Sequence, residues 1–437
     1  MRFTLGEVAL ATGGEAVGEA VVEGATIDSR SAARGRLFVA VVAERDGHDF
    51  LDAAVSAGAA ALLVDRPVPA TGAASVWVPD TVTGLADLGR AARSRLDAPV
   101  IGVTGSVGKT TVKDLCAAAL RPTLRTAASE RSFNNELGVP LTLLNAADDT
   151  EAVVLEMGAR GAGHIAALCS IAAPTIGVVT AVAAVHTETF GTIDDVARAK
   201  AELVASLPSS GTAVLNADDE RVAAMSVVAP GRVLRFGLGG SADVRAEGVV
   251  VDDELCPTFV LHTPWGSAPV RLTVRGEHQV GNALAAAGAA LVAGAPLEAV
   301  AAGLAAPPAS PWRMALERGG SGVLVLNDAY NANPTSMAGA LRSLARLPAR
   351  RRIAYLGTMA ELGPGAAEAH DGVARLGDEL GITVVAVGEA AYGTELVANV
   401  DAAAVHAEGL GLVEGDAVLV KASRVAGLER LAERLLR

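Results

Sequence analysis

The chain holds 437 residues, which at roughly 150 residues per domain divides into two to four domains. Hydrophobic residues make up 51% and charged residues 19%, which excludes a disordered chain or a fibrous repeat. With 36 basic against 49 acidic residues the net charge is -13, so wrapping nucleic acid or an anionic membrane through bulk charge is excluded as well.

Residues 1–97 alternate short apolar runs with polar turns. ATIDSR, GRLFVAVV, AAALLVD and ASVWVP read as strands, and DFLDAAVSAGA has helical spacing, so a small α/β module is expected. At Ala98-Pro99 the texture changes: VIGVTG is a buried strand running into a glycine-rich loop and a helical stretch from Thr110 to Leu120. The apolar runs Ala152 to Leu155 and Thr175 to Thr180 repeat the strand-loop-helix unit of a parallel sheet. Residues 210–275 turn strand-rich. The Pro- and Ala-rich segment Gly303 to Arg313 predicts an interdomain linker. Beyond it GVLVLND, RRIAYLG, ITVVAVG and DAVLVKA alternate with helical stretches, which predicts a second parallel α/β domain.

Two uncharged stretches imitate membrane spans. Ile165 to Thr187 is broken by Pro174, and Val280 to Leu297 is mostly Ala and Gly, so neither is expected to cross a bilayer. Glu7 interrupts what would be a signal-peptide core, and Cys116, Cys169 and Cys256 are too few and scattered for a disulfide framework or a thiolate zinc site. A reducing, cytoplasmic setting is the expectation.

Only four of the 36 basic residues are lysine (Lys109, Lys113, Lys200, Lys421). In a chain that uses arginine for generic cations, the remaining lysines are enriched for jobs arginine cannot do, although compositional drift also produces such a count. Lys109 stands in Thr104-Gly105-Ser106-Val107-Gly108-Lys109-Thr110-Thr111, between a strand and a helix. Glycines there let backbone amides face phosphate oxygens, the helix N-terminus adds partial positive charge, Lys109 supplies a movable ammonium and Thr110 a hydroxyl for Mg2+. The run departs from the strict G-x-x-x-x-G-K-[ST] pattern because Val103 stands five residues before Gly108. A plain glycine-rich turn capping a helix would explain neither Lys109 nor the paired threonines.

A nucleotide loop calls for a metal site at the ends of neighbouring strands. Glu156 ends the run AVVL, and His186 follows the next run. A histidine after a strand is by itself more often a loop hydrogen-bonder; beside Glu156 and a phosphate loop the two readings stand level. Lys200 lies in a helical stretch, either as a solvated lysine or, given lysine scarcity, as a functional amine. Asp328 and Asn331, in Asn327-Asp328-Ala329-Tyr330-Asn331-Ala332-Asn333-Pro334, suit a ribose or base edge, where turn chemistry alone would need only Asn-Pro.

These motifs resemble the ATP-dependent Mur ligases of peptidoglycan synthesis, most of all the branch that adds D-alanyl-D-alanine. The likeness is carried by TGSVGKTT, by Ser132-Phe133-Asn134-Asn135-Glu136-Leu137-Gly138-Val139-Pro140, and by LEMGA at Leu155 to Ala159. It continues through His186 with Phe190-Gly191, Ala199-Lys200-Ala201-Glu202, GEHQVGNA from Gly276, NDAYNANPTSM, MAELG and VKAS. At the N-terminus Asp28-Ser29-Arg30 and Asp46-Gly47-His48-Asp49-Phe50 match too, so the likeness spans the chain in order.

The resemblance implies an α/β protein of three domains: an N-terminal UDP-substrate module (1–97), a central ATPase (98–312) and a Rossmann-like C-terminal domain (313–437). It implies an amide-forming ligase using ATP and Mg2+, with UDP-N-acetylmuramoyl-tripeptide and D-Ala-D-Ala as small-molecule substrates, acting as a monomer. Lys109 then grips the β and γ phosphates, while Thr110, Glu156 and His186 hold Mg2+. Lys200 matches a lysine that is carbamylated in several members and helps hold a second Mg2+. Asn282 matches the adenine contact, Arg313 the linker arginine that reaches the phosphates, and Asp328 with Asn331 the ribose and base side. Ser29, Arg30, Asn134 and Asn135 would serve the UDP-sugar substrate, and Lys421 and Ser423 the carboxylate end or the dipeptide. Ala181, Ala201 and Thr358 depart from the family's usual Asn, Gly and acidic residue. Two rival readings are a paralogue acting on another carboxylate and amine, and a silent nucleotide-binding scaffold.

Overall fold

The computed structural model describes residues 1–31, 34–67, 72–183 and 190–437. Among them the strands form four sheets.

The chain opens with β1 (Arg2–Thr4), which pairs antiparallel with β3 (Val21–Glu23). Between them the helix Leu5–Thr12 is started by a reciprocal Thr4–Glu7 capping box. β2 (Glu15–Val17), β4 (Ala25–Thr26), β5 (Leu37–Val39), β6 (Ala61–Val64) and β7 (Ala74–Trp77) make a second sheet in the order β2-β7-β6-β5-β4. ATIDSR is strand only at Ala25–Thr26. Beyond it Asp28 accepts the Arg30 backbone N–H at 3.0 Å and pairs with its guanidinium, which bends the chain into a helical turn at Ser29–Ser31.

The N-terminal module shares its core with the central domain. Its helix Thr81–Ser94, capped by Asp80 on the Thr83 N–H at 2.7 Å, places Leu85, Leu88 and Ala92 in one cluster with Val139, Leu143 and Ile171. The terminal ammonium of Met1 donates to the carbonyls of Leu144 and Ala146 at 3.0 and 2.7 Å.

The central sheet contains β8 (Val100–Thr104), β9 (Thr126–Ala128), β10 (Ala152–Glu156), β11 (Ile176–Val179), β12 (Thr212–Asn216), β13 (Arg232–Gly237), β14 (Val244–Val251), β15 (Pro257–Thr263) and β16 (Gly266–Arg271). Their order is β16-β15-β14-β13-β12-β11-β8-β10-β9, parallel from β9 to β14 and antiparallel through β15 and β16. From β8 the chain goes to β9, returns to β10 and crosses to β11 on β8's other side. That reversal opens a crevice at the carboxyl ends of the three strands, where parallel sheets place ligands. The register pairs Glu156 with Val103 and Val179 with Thr104, so these strands end together. The alanine-rich helix Gln279–Val292 is packed in the core against the phosphate-loop helix, which accounts for its lack of charge without a bilayer. Among the described residues no helix is long and apolar enough to cross a membrane.

The last sheet contains β17 (Ala315–Arg318), β18 (Leu324–Asn327), β19 (Arg351–Leu356), β20 (Thr383–Val387), β21 (Glu395–Val397) and β22 (Asp416–Lys421). Its order is β17-β18-β22-β19-β20-β21, parallel except for β17. The four expected apolar runs are β18, β19, β20 and β22. The edge strands β17 and β21 are half exposed, so no apolar run announces them. The proposed linker begins in the helix Leu297–Leu304, then runs irregularly to Arg313. Its two neighbours, Trp312 and Met314, hold left-handed backbone at φ 57° and 54°.

Candidate active site

The phosphate-loop run leaves β8 at Thr104 and enters the helix Lys109–Leu120 within five residues. Two positions demand glycine: Gly105 has φ 145° and Gly108 φ 83°. A Cβ at either would strike the Thr180 hydroxyl or the Asn282 amide. Gly108 is the helix N-cap and offers no side chain, so the first-turn amides at Lys109, Thr110 and Thr111 are left for an anion. Ser106 fastens the loop to the end of β11: its N–H donates to Ala181 O at 2.8 Å, and its hydroxyl accepts from Ala183 N at 2.9 Å. Lys109 Nζ folds back onto Gly105 O at 2.8 Å and Ser106 O at 3.4 Å. Burial lowers its pKa, with Glu156 opposing and Arg313 assisting.

Glu156, at the end of β10, is 1% exposed. Asn134 Nδ2 donates to its Oε1 at 2.8 Å, while its Oε2 has no hydrogen-bond partner among the described residues. A buried carboxylate oxygen without a donor is costly, and a hard cation satisfies it. Lys200, on the helix Ile193–Ala205, is 2% exposed. Its ammonium finds no acceptor among the described residues; the ring of Phe190 lies 5.8 Å from Nζ. Burial, then the charge of Lys109, pushes its pKa down to about 7 against the pull of Glu202. Glu202 is itself spent on the amides of Gly163 and Ala166, at 2.6 and 3.0 Å.

The C-terminal wall is held by Lys421, which donates to Asp328 Oδ2 at 2.5 Å and Asn331 O at 2.7 Å. Asp328 Oδ1 accepts the Met314 N–H at 3.1 Å, and Asn331 Oδ1 accepts the Ala332 N–H at 2.9 Å. Arg313 crosses the cleft: Nη2 donates to Thr110 Oγ1 at 2.9 Å, and its guanidinium lies 4.1 Å from the centre of the Tyr330 ring. Its Nε is buried with no partner among the described residues. Tyr330 donates its hydroxyl to Ser132 Oγ at 2.6 Å, and Ser132 lies 3.4 Å from Thr110 Oγ1.

These groups line one cleft of about 910 Å³, the size of a substantial ligand site. It gathers Gly105, Ser106, Val107, Gly108, Lys109, Thr110 and Thr111 with Asn134, Asn135 and Glu156, as well as Lys200, Asn282, Arg313, Asp328, Asn331 and Lys421. Other expected residues fall elsewhere. Thr104 is buried beneath the loop, its hydroxyl on Met157 O at 2.8 Å. Ser423 accepts the Ala360 N–H at 2.9 Å outside the cleft lining, and Ser29 and Arg30 sit on the surface turn of the first module. His186 lies outside the described residues. Sequence reasoning gave no role to Ser132, Thr180, Gln279 or Tyr330. Thr180 donates to Val107 O at 2.5 Å, and Gln279 accepts from Asn282 Nδ2 at 2.7 Å. Hydroxyls and amides like these carry no spacing signal, although Ser132, Gln279 and Tyr330 lie inside the runs Ser132 to Pro140, GEHQVGNA and NDAYNANPTSM that carry the resemblance.

Residues 103–290 match the Mur ligase middle domain, and residues 312–424 the Mur ligase, glutamate ligase domain. The UDP-N-acetylmuramoyl-tripeptide--D-alanyl-D-alanine ligase of Mycobacterium bovis is 43% identical, covering 94% of this chain and 91% of the relative. MurF from Acinetobacter baumannii superposes with a TM-score of 0.91 at 30% identity, over 100% of this chain and 99% of that one. MurF from Thermotoga maritima, solved in complex with ADP, gives a TM-score of 0.81 at 28% identity over 95% and 97% of the two chains. Phosphate loop, buried carboxylate and linker arginine thus stand in a chain that a relative 43% identical matches over 94% of its length, and the chain belongs to the Mur ligase family of ATP-dependent ligases.

Proposed function

We propose that this chain joins D-alanyl-D-alanine to the terminal carboxylate of UDP-N-acetylmuramoyl-tripeptide at the expense of ATP. The observation that carries the reading is one cleft holding a phosphate loop, the half-satisfied Glu156 carboxylate and the cations Lys109 and Arg313. The reaction has two steps. A carboxylate oxygen takes the γ-phosphoryl group and releases ADP; the dipeptide amine then attacks the acyl carbon, loses a proton and expels phosphate. Both pass through concentrated negative charge, which fixed donors and cations stabilise without reorganising.

Each residue has a part in that scheme. The loop amides and Lys109 bind the β and γ phosphates, and releasing Lys109 from Gly105 O and Ser106 O frees it for them. Arg313, hinged between two left-handed residues, reaches the same oxygens from the C-terminal side. Asn282 faces the adenine, and Asp328 and Asn331 the ribose and base side. Thr110 and Glu156 would hold Mg2+, with His186; the hard oxygen donors and the unpartnered Oε2 fit that ion, which commonly takes one or two carboxylates plus substrate phosphates. When bound, the ion neutralises charge on the transferred phosphoryl group. Lys200, buried with no acceptor among the described residues and its pKa lowered to about 7, suits a neutral amine that adds to CO2, forming an N–C bond and releasing a proton to leave a carbamate.

We further propose that residues 1–97 with Asn134 and Asn135 seat the UDP-sugar portion, 98–312 the ATP, and 313–437 close over both. Ser29 and Arg30 belong to that first surface. Mass spectrometry of the product from ATP, D-Ala-D-Ala and each of the lysine- and diaminopimelate-containing tripeptide precursors tests the reading. A product heavier than the precursor by one dehydrated dipeptide, with one phosphate released per bond, is expected. Phosphate release without that adduct would overturn it.

A further inference from the structure

Of the four lysines, Lys113 has no part in the proposed reaction. It sits one turn into the phosphate-loop helix and is 2% exposed. Its ammonium nevertheless meets three acceptors: Ser129 O at 2.9 Å, Arg131 O at 3.1 Å and Asp114 Oδ1 at 2.5 Å. An ammonium carries three N–H donors pointing apart, so all three are used; a planar guanidinium fork does not fit three acceptors spread in this way.

What Lys113 grips leads straight to the buried carboxylate. Ser129 Oγ accepts the Glu156 N–H at 3.2 Å. Arg131 is held in left-handed backbone at φ 49°, which an arginine does not adopt for its own sake. The next residues are Ser132, bonded to Tyr330 and beside Thr110, and Asn134, bonded to Glu156 Oε1. On the other side, Asp114 Oδ2 accepts the hydroxyl of Ser310, in the linker three residues before Arg313, at 2.5 Å.

We propose that Lys113 is a positioning residue: with Asp114 it clamps the 129–131 backbone so that Asn134 and Ser132 present Glu156 and Thr110 correctly, and it ties that clamp to the linker through Ser310. The proposal rests on the reading that Glu156 and Thr110 face Mg2+ and the phosphates. Lys113 touches no substrate; it acts through the loop.

The test uses the full chain with Lys113→Met, Lys113→Arg, Ser310→Ala, Asn134→Ala and the double variant Lys113→Met with Asn134→Ala. Removing a supporting partner of a metal-site residue typically costs about 10- to 100-fold in activity or metal affinity. The Lys113 variants are therefore expected to lose that much kcat and to need more Mg2+ for half-maximal rate, with the KM for ATP little changed. Hydrogen exchange at the 129–135 amides should quicken, and the double variant should lose less than the product of its single losses. Ser310→Ala should shift the Mg2+ requirement and the exchange in the same direction by a smaller factor, and it decides the case if the Lys113 variants fail to fold. Unchanged loop exchange and Mg2+ requirement in Ser310→Ala, or strictly multiplicative losses in a folded double variant with wild-type Mg2+ demand, would overturn the clamp. Mg2+-supported ADP binding, measured in parallel, separates the two readings: a wild-type chain that binds ADP but forms no adduct removes the substrate assignment and leaves the clamp to be judged on binding and exchange.

Discussion

The two walls of the cleft each bury a lysine to the same depth, Lys200 at 2% exposure in the central wall and Lys421 at 1% in the C-terminal wall. Their surroundings differ in kind. Lys421 has the Asp328 carboxylate and the Asn331 carbonyl within 2.7 Å, whereas Lys200 has no acceptor among the described residues and an ordinary value displaced to about 7. Burial alone therefore says little about a lysine's task; the acceptors around it decide whether it is a strut or a reagent.

The largest effect expected from this contrast is on stability. Lys421→Met strands the Asp328 carboxylate, and breaking such a buried pair costs about 3–5 kcal/mol, read as a lowered unfolding midpoint. Lys200→Met removes an amine that has no acceptor among the described residues, so at neutral pH it should hold or raise the midpoint. The pH dependence comes from the direction of the shift: between the folded value near 7 and the ordinary value of 10.5, the unfolded chain binds the proton and the folded chain does not. Stability contributed at this site thus rises as pH climbs through that window and is lowest below about 7. The wild-type minus Lys200→Met difference in unfolding free energy should rise from pH 7 to pH 10; a flat difference would remove the displaced value.

Lys109→Ala probes the third cleft lysine, whose acceptors among the described residues are its own loop carbonyls. At least about 3 kcal/mol of transition-state stabilisation should be lost, as a drop in kcat/KM with the fold intact, since a phosphoryl transfer loses its nearest mobile cation. Near wild-type turnover would take away the phosphate-loop assignment.

Lys200→Arg separates strut from reagent by chemistry. Arginine stays a cation and cannot form a carbamate, so turnover and Mg2+ affinity should fall together, by about 10- to 100-fold if the amine supports the metal site. A small carboxylic acid in solution should partly rescue Lys200→Ala. An arginine variant with unchanged turnover and Mg2+ demand would leave Lys200 a buried lysine and nothing more.

How much the sequence disclosed depends on the range over which each interaction acts. The phosphate loop was readable because its requirements are local: positive φ at Gly105 and Gly108, and a lysine at the helix start. Strands β8, β10, β11, β18, β19, β20 and β22 were readable because strands buried on both faces are continuous apolar runs. Glu156 was found as the polar end of such a run, but its bond from Asn134, expected to serve the sugar, depends on how the 129–135 loop returns beside β10. Thr104 belongs to the motif by sequence, yet its hydroxyl turns to Met157 O under the sheet edge, and no periodicity reports that. Lys421 and Ser423 are expected at the substrate, but their local partners are not legible in the sequence: the parallel pairing of β22 with β18 brings Lys421, in the cleft lining, onto Asp328, and Ser423 accepts the Ala360 N–H. The clasp of Tyr330 on Ser132 joins residues 198 apart, which only the docked domains bring together.

That clasp gives the smallest expected effect and the sharpest view of how the walls meet. Tyr330 does two things: its ring lies under Arg313 and its hydroxyl binds Ser132. Tyr330→Phe keeps the ring and removes one neutral hydrogen bond, worth about 1 kcal/mol, or roughly a five-fold change in an equilibrium between apposed and parted walls. Under the proposed assignment of Asn282, Asp328 and Asn331 to the nucleotide, the change should appear as a few-fold rise in the KM for ATP with kcat nearly kept. Tyr330→Leu also removes the cation–π contact, worth about 0.5–1 kcal/mol at a partly exposed site, and frees Arg313 from its angle toward Thr110. It should therefore cost more than Phe and reach kcat as well, given the role proposed for Arg313 at the phosphates. A Phe variant with wild-type KM would mean the hydroxyl bond does not hold the walls together. Equal losses in Phe and Leu would assign the whole effect to that bond and none to the stack, leaving Arg313 positioned by the left-handed Trp312 and Met314 that flank it.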